Sequence, residues 1–151
     1  MNSWIGHTNQ KLYFARLLLE QAEADSSVQA QAAGEGALAL LGEAWLSYLN
    51  ELAINASAGS RVTSLAELMA VVPLVTGEIT EIKNLSVIPG SWVVEMSAAL
   101  AGQNQPKAAK AVQDVPSGLI ALRAADGLPL RQWWQAMSDL IDSQRENRQE
   151  T

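Results

Sequence analysis

Leu38, Leu41, Trp45, Tyr48 and Leu52 recur at intervals of three and four residues, and no proline interrupts the stretch that carries them. Side chains spaced this way share one face of an α-helix, whereas the two-residue period of a strand would scatter them over both sides. The spacing predicts one long helix over residues 27–56. A helix with so continuous an apolar stripe must bury it against other helices. Leu40, Leu46 and Ile54 lie off the stripe, so this helix is either central, with neighbours on several sides, or carries a second interface. Gly34, Gly36 and Gly42 each weaken helix propensity. Close approach of a neighbouring helix would explain them, and so would a kink.

The flanking segments read as further helices. Leu12, Ala15, Leu19 and Ala22 follow a helical period over residues 8–25, with Thr8 in place to cap the start. Phe14, Leu17 and Leu18 widen that apolar arc, so the helix is expected to pack on more than one neighbour. Ser64 and Glu67 have the spacing of a capping box, and the helix they open must stop before Pro73. Ile79, Ile82 and Leu85 mark a short helix over residues 78–85, and Ser91 caps another that ends near Gly102. Short helices are expected at 107–112 and 118–125, while 87–88 and 119–120 could instead form very short strands. A last helix starts near Pro129 and places Leu130, Trp133, Trp134, Met137, Leu140 and Ile141 on one face. From about residue 145 the chain is polar and is expected to fray. The result is a single all-α domain over 1–151, an antiparallel helical bundle of about four main helices with short extra helices in the middle. Leu41, Trp45, Trp134, Met137 and Ile141 are its expected core.

Composition removes many functions. The 151 residues include no cysteine, so disulfides, thiolate metal sites and thiol catalysis are absent together. Sixteen acidic residues against ten scattered basic ones give a net charge of −6, which disfavours nucleic acid and anionic membranes as partners. The start of the chain has neither a basic nor an apolar signal region, and a cytoplasmic location is expected. The one histidine, His7, cannot supply paired histidine metal ligands, and its position before the first expected helix suits a surface residue. The glycines follow no strand and precede no phosphate-binding lysine. Neither a cofactor nor a metal is implied. Glu43, Ser47 and Asn50 share a polar face of the long helix, ordinarily a solvated one. Five tryptophans are many for this length and suit either a core or a ligand pocket between helices.

Two polar clusters form the candidate site. Thr8, Asn9, Gln10 and Lys11 stand just before the aromatic pair Tyr13 and Phe14, and Lys11 projects into the apolar arc. At the far end Gln144 falls on the apolar face of the last helix, followed by Arg145. In an antiparallel bundle the two clusters would meet. They would then hold an anion or a carboxylate-bearing ligand at the rim of an aromatic pocket, or form a clasp between the chain ends. Capping, snorkelling and fraying would account for them separately.

The pieces Thr8-Asn-Gln-Lys-Leu-Tyr-Phe-Ala15 and Leu140-Ile-Asp-Ser-Gln-Arg-Glu146 resemble the two ends of an uncharacterised family of short bacterial proteins. That family is labelled only as a domain of unknown function. The resemblance implies an all-helical bacterial protein and no activity. No catalytic motif is complete, so the expected function is a helical interaction or scaffold protein that self-associates or binds a protein partner. The alternative is a small-molecule binding or regulatory domain with a Trp-lined pocket.

Overall fold

Asn2 sets the first helix. Its side-chain oxygen accepts the backbone N–H of Trp4 at 3.1 Å, and its amide donates to the Glu51 carbonyl at 2.9 Å. In the computed structural model, which describes residues 2–106 and 127–150, α1 therefore runs over Trp4–Ala24, four residues earlier than Thr8 suggests. Thr8 is not a cap. It lies inside the helix, fully buried, and shares a 2.7 Å hydrogen bond with Ser47. Ser27 caps α2 (Val28–Asn55) by accepting from the Ala30 N–H. Ser64, Thr76 and Ser91 do the same for α3 (Leu65–Val71), α4 (Gly77–Val87) and α5 (Trp92–Gln103). Only half of the expected capping box forms, because the Glu67 carboxylate takes the Thr63 hydroxyl instead. The last helix, α6, spans Leu130–Glu150. The described residues contain six helices and no strand, and the fold is all-α. The helices expected at 107–112 and 118–125, and the alternative strand at 119–120, lie outside the described residues. Val87 closes α4.

The long helix is the centre of the packing. Thr8 meets Ser47 while Leu18 lies against Gly36, so α1 runs antiparallel to α2. Trp92 packs edge-on to Trp45 while Gln103 bonds the Glu35 carbonyl, so α5 is also antiparallel to it. Tyr48 meets Gln144 and Gly34 lies near Leu130, so α6 runs alongside α2 in the same direction. The central position accounts for Leu40, which packs against the core, whereas Ile54 is exposed. Close approach also accounts for two glycines: a β-carbon at Gly36 would stand 2.7 Å from Leu18, and one at Gly42 would stand 3.0 Å from Leu100. Gly34 has ordinary contact distances and no such need.

Leu41, Met137 and Ile141 are core residues as expected. Trp45 and Trp134 are only partly buried, and Trp133 takes the interior position. Trp134 sits at the α1–α6 seam, where its indole N–H donates to the Leu12 carbonyl at 2.8 Å. The α1 arc is narrower than its sequence suggests. Thr8, Leu12, Ala15 and Leu19 face inward, while Tyr13, Phe14 and Leu17 are exposed. Among the described residues no single helix is long and apolar enough to cross a membrane. The α4–α5 pair reaches that length and composition only together, across a 64° bend.

Candidate functional site

Glu51 stands three residues after Tyr48 on α2, which turns it 60° from the apolar stripe and into the protein. It has no exposed surface. A buried carboxylate needs compensation, and α6 supplies it. Arg145 donates through Nε and Nη2 to the two Glu51 oxygens, both at 2.8 Å, and Arg148 adds a third bond at 3.2 Å. The remaining Arg145 donor, Nη1, reaches Asn9 on α1 at 2.8 Å. Arg148 also donates to the Glu78 carboxylate on α4 and to the Tyr48 hydroxyl at 3.3 Å. Four helices therefore meet through two arginines and two carboxylates, a set whose formal charges cancel.

Gln144 completes the junction. It is 2% exposed; its carbonyl oxygen accepts from Tyr48, and its amide donates to the Glu78 carbonyl and, at 2.6 Å, to Glu81. Burial pushes the Tyr48 phenol well above its ordinary range, which keeps it a proton donor to Gln144. Burial also pushes the Glu78 carboxyl up, against the opposing pull of the Arg148 guanidinium. For Arg148 itself burial acts downward, but its bonds to Tyr48 and Glu78 outweigh this and hold it above its usual value.

Of the six candidate residues, the structure joins Asn9 to Arg145 directly and seats Gln144 one residue away. Thr8 is buried in the same region but turned to Ser47. Gln10 faces outward, and Lys11 pairs with Glu43 at 3.6 Å on a different side of α1. Tyr13 and Phe14 also face outward, so the two clusters do not rim an aromatic pocket. α6 runs past residue 145 to Glu150, and Arg145 and Arg148 both reach the buried Glu51 carboxylate. The polar face expected to be solvated is instead partly interior. Ser47 bonds Thr8, and the Asn50 side chain pairs with both backbone groups of Val62, fixing the loop before α3.

Sequence reasoning missed Glu51, Glu78 and Arg148. A signal existed for Arg148, which projects at the same angle as Leu130, in the middle of the α6 apolar face. For Glu78 there was none beyond its place in the first turn of a helix.

Two open clefts lie nearby. One of about 420 Å³ borders the junction between Thr76, Glu78, Glu81, Gln144 and Arg148. The other, of about 610 Å³, runs between α2, α3 and α5 beside Trp45, Leu46, Leu65 and Val94. Among the described residues no three acidic or histidine side chains are grouped to hold a metal ion. The junction links α1, α2, α4 and α6 through side-chain hydrogen bonds and ion pairs. Both guanidiniums are turned onto internal acceptors.

The whole chain, residues 1–151, matches the model of a family of unknown function, DUF6586, and the protein belongs to that family. No curated protein and no solved structure matches it.

Proposed function

Taking a family without an assigned activity as the premise, we propose that this protein is a non-catalytic helical interaction protein that self-associates through the outer face of α1. We read it as a bacterial protein on the resemblance carried by residues 8–15 and 140–146, and as a cytoplasmic one on its lack of cysteine. One observation carries the interaction reading. Opposite its buried side, α1 presents Gly6, Gln10, Tyr13, Phe14, Leu17 and Gln21, all exposed, within an arc of about 100° that holds no charged side chain. Exposed helix faces of monomeric proteins are ordinarily charged. Here the charged residues of α1 lie elsewhere: Arg16, Glu20 and Glu23 on one flank, and Lys11 against Glu43. Tyr13 is 50% exposed, Phe14 40% and Leu17 38%, which makes a contiguous apolar and aromatic patch of the kind that marks protein contacts.

Light scattering coupled to size-exclusion chromatography tests this. The wild-type chain is expected to exceed monomer mass as concentration rises. Phe14→Glu with Leu17→Glu should return it to monomer with helical circular dichroism retained and only a modest loss of thermal stability, since neither side chain is in the core. A wild-type chain that stays monomeric at every concentration would remove the proposal.

A second reading, a small-molecule site, has the groove beside Trp45 in its favour. Trp45 is partly exposed there and packs on Trp92 at 5.3 Å, so a ligand in the groove would change tryptophan emission. A metabolite panel that leaves the emission unmoved would count against it.

A further inference from the structure

The α1 face has a second property beyond its lack of charge: four of its residues, Gln10, Phe14, Leu17 and Gln21, are placed symmetrically about its middle. Gln10 precedes Phe14 by four residues, and Gln21 follows Leu17 by four. Gly6 lies a further four residues out on one side and Ala24 three residues out on the other. Phe14 and Leu17 therefore sit at the middle with an amide on each side and small residues near both ends, while Tyr13 stands outside this symmetry, its counterpart Leu18 being packed on the core. We infer that the partner of this face is a second copy of the chain, packed antiparallel about a two-fold axis between Phe14 and Leu17. This rests on the reading of α1 as the face of self-association and adds the direction and register in which the two copies pack.

In that arrangement Phe14 of one protomer lies over Leu17 of its partner, and Gln10 lies over Gln21. An amide carries both donors and acceptors, so the Gln10–Gln21 pairs can satisfy each other at both ends of the contact. Gly6 and Ala24 allow the helix ends to approach. A closed two-fold contact uses the same patch twice and so requires a self-complementary surface.

Charge selects the second copy over another protein. The chain carries −6 overall, so two copies repel wherever their acidic surfaces meet. The uncharged α1 face lets them touch without bringing acidic side chains together. Glu20 points about 70° from the centre of the arc and is paired with Arg16, whose guanidinium folds over the Tyr13 ring at 5.4 Å, so the one charge that reaches the edge of the patch is basic. A basic partner would instead be expected to favour an acidic docking face. Parallel packing would set Phe14 on Phe14 and Leu17 on Leu17, leaving steps between large and small side chains. A contact built on one helix pair belongs to the weak, transient size class, so association should be concentration-dependent.

The absence of cysteine makes the geometry directly testable. Gln10→Cys and Gln21→Cys each create a single-thiol protein at an exposed position. Circular dichroism checks that both fold as the wild type does. At high protein concentration under mild oxidation, the mixture of the two variants should form the mixed disulfide at least tenfold faster than either forms its own. The double variant should close a doubly linked dimer, and adding Leu17→Glu should abolish all of it. Disulfides formed within each single variant and not across the mixture would mean parallel packing. That would overturn this inference and leave self-association through α1 standing. A wild-type dimer indifferent to Leu17→Glu would overturn both the inference and the α1 face. A monomer at every concentration, with no disulfide in any combination, would overturn self-association itself.

Discussion

Replacing Arg145 with alanine tests whether the junction of α1, α2, α4 and α6 holds the fold together. Arg145 supplies two of the three charge-assisted bonds to a carboxylate with no exposed surface, and Arg148 reaches only Glu51 Oε1, at 3.2 Å. Without Arg145, Oε2 has no donor in this set and a buried charge is half compensated. Breaking a buried pair from one side costs about 3–5 kcal/mol. That is a large part of the roughly 5–15 kcal/mol that holds a domain folded. At about 2–4 °C per kcal/mol for a chain of this size, the melting temperature should fall by about 6–20 °C. The opposite truncation should be milder. Glu51→Gln keeps the volume and removes the charge, and Arg145 and Arg148 retain 17% and 22% exposure through which to recover water. Its cost should be about 1–3 kcal/mol. Urea denaturation of both single variants and the double variant gives the coupling. The double variant should lose clearly less than the sum of the singles, since either change alone already breaks the pair. A loss below about 1 kcal/mol for Arg145→Ala, or strict additivity with Glu51→Gln, would refute the reasoning.

Four further outcomes follow from the same structure. Lys11→Ala should cost under about 1 kcal/mol and add independently to Arg145→Ala in denaturant melts, because its partner Glu43 is half exposed and belongs to neither arginine. Gly34→Ala should stabilise by about 0.5–1 kcal/mol through helix propensity alone, whereas Gly42→Ala must displace two Leu100 methyl groups and should gain nothing. Trp133→Ala should cost about 3–5 kcal/mol, and Trp134→Ala less, because only the first is in the interior. Because burial raises the folded-state pKa of Glu78, this carboxyl binds its proton more tightly in the folded protein. Relative to Glu78→Gln, the wild type should therefore lose stability as pH rises from 4.5 through the raised pKa, and the difference should be flat above it; melts over that range give the sign.

The helices were legible because their signals are local. The three- and four-residue spacing of Leu38 to Leu52 and the caps at Ser27, Ser64 and Ser91 all precede any tertiary contact. The buried network was less legible because it depends on which faces meet. Gln144 could be found, since an amide on an apolar face stands out. Ser47 and Asn50 could not, because a polar face looks the same whether it meets water or another helix. Glu51 differs from fifteen other acids only by its angle to the stripe. Thr8 misleads for a related reason. Threonine is a good cap, but Asn2, bonded to the far end of α2, starts the helix a turn earlier and carries Thr8 inside. Arg148 was obscured by its neighbours, because seven polar residues at a chain end resemble a fraying tail until a buried acceptor is found for one of them.

The clasp and the outer face of α1 belong to the same argument. A helix that binds through its exposed side must not be pulled out of the protein by its partner. α1 is tied to α6 at three levels along its length: Glu23 to Arg131, the Leu12 carbonyl to Trp134, and Asn9 to Arg145. Its inner side is packed on α2 through Ala15, Leu19 and the Thr8–Ser47 bond. None of these groups lies on the uncharged arc. The two sides of α1 should therefore be separable by mutation. Changes at Phe14 or Leu17 should alter assembly and lower the unfolding midpoint much less than changes at Arg145 do, at low protein concentration. Changes at Arg145 should lower the midpoint and weaken assembly only as far as the folded population falls. If Arg145→Ala abolished association while the chain remained folded, the clasp would be part of the interface, and the division of α1 into an inner structural side and an outer binding side would fail.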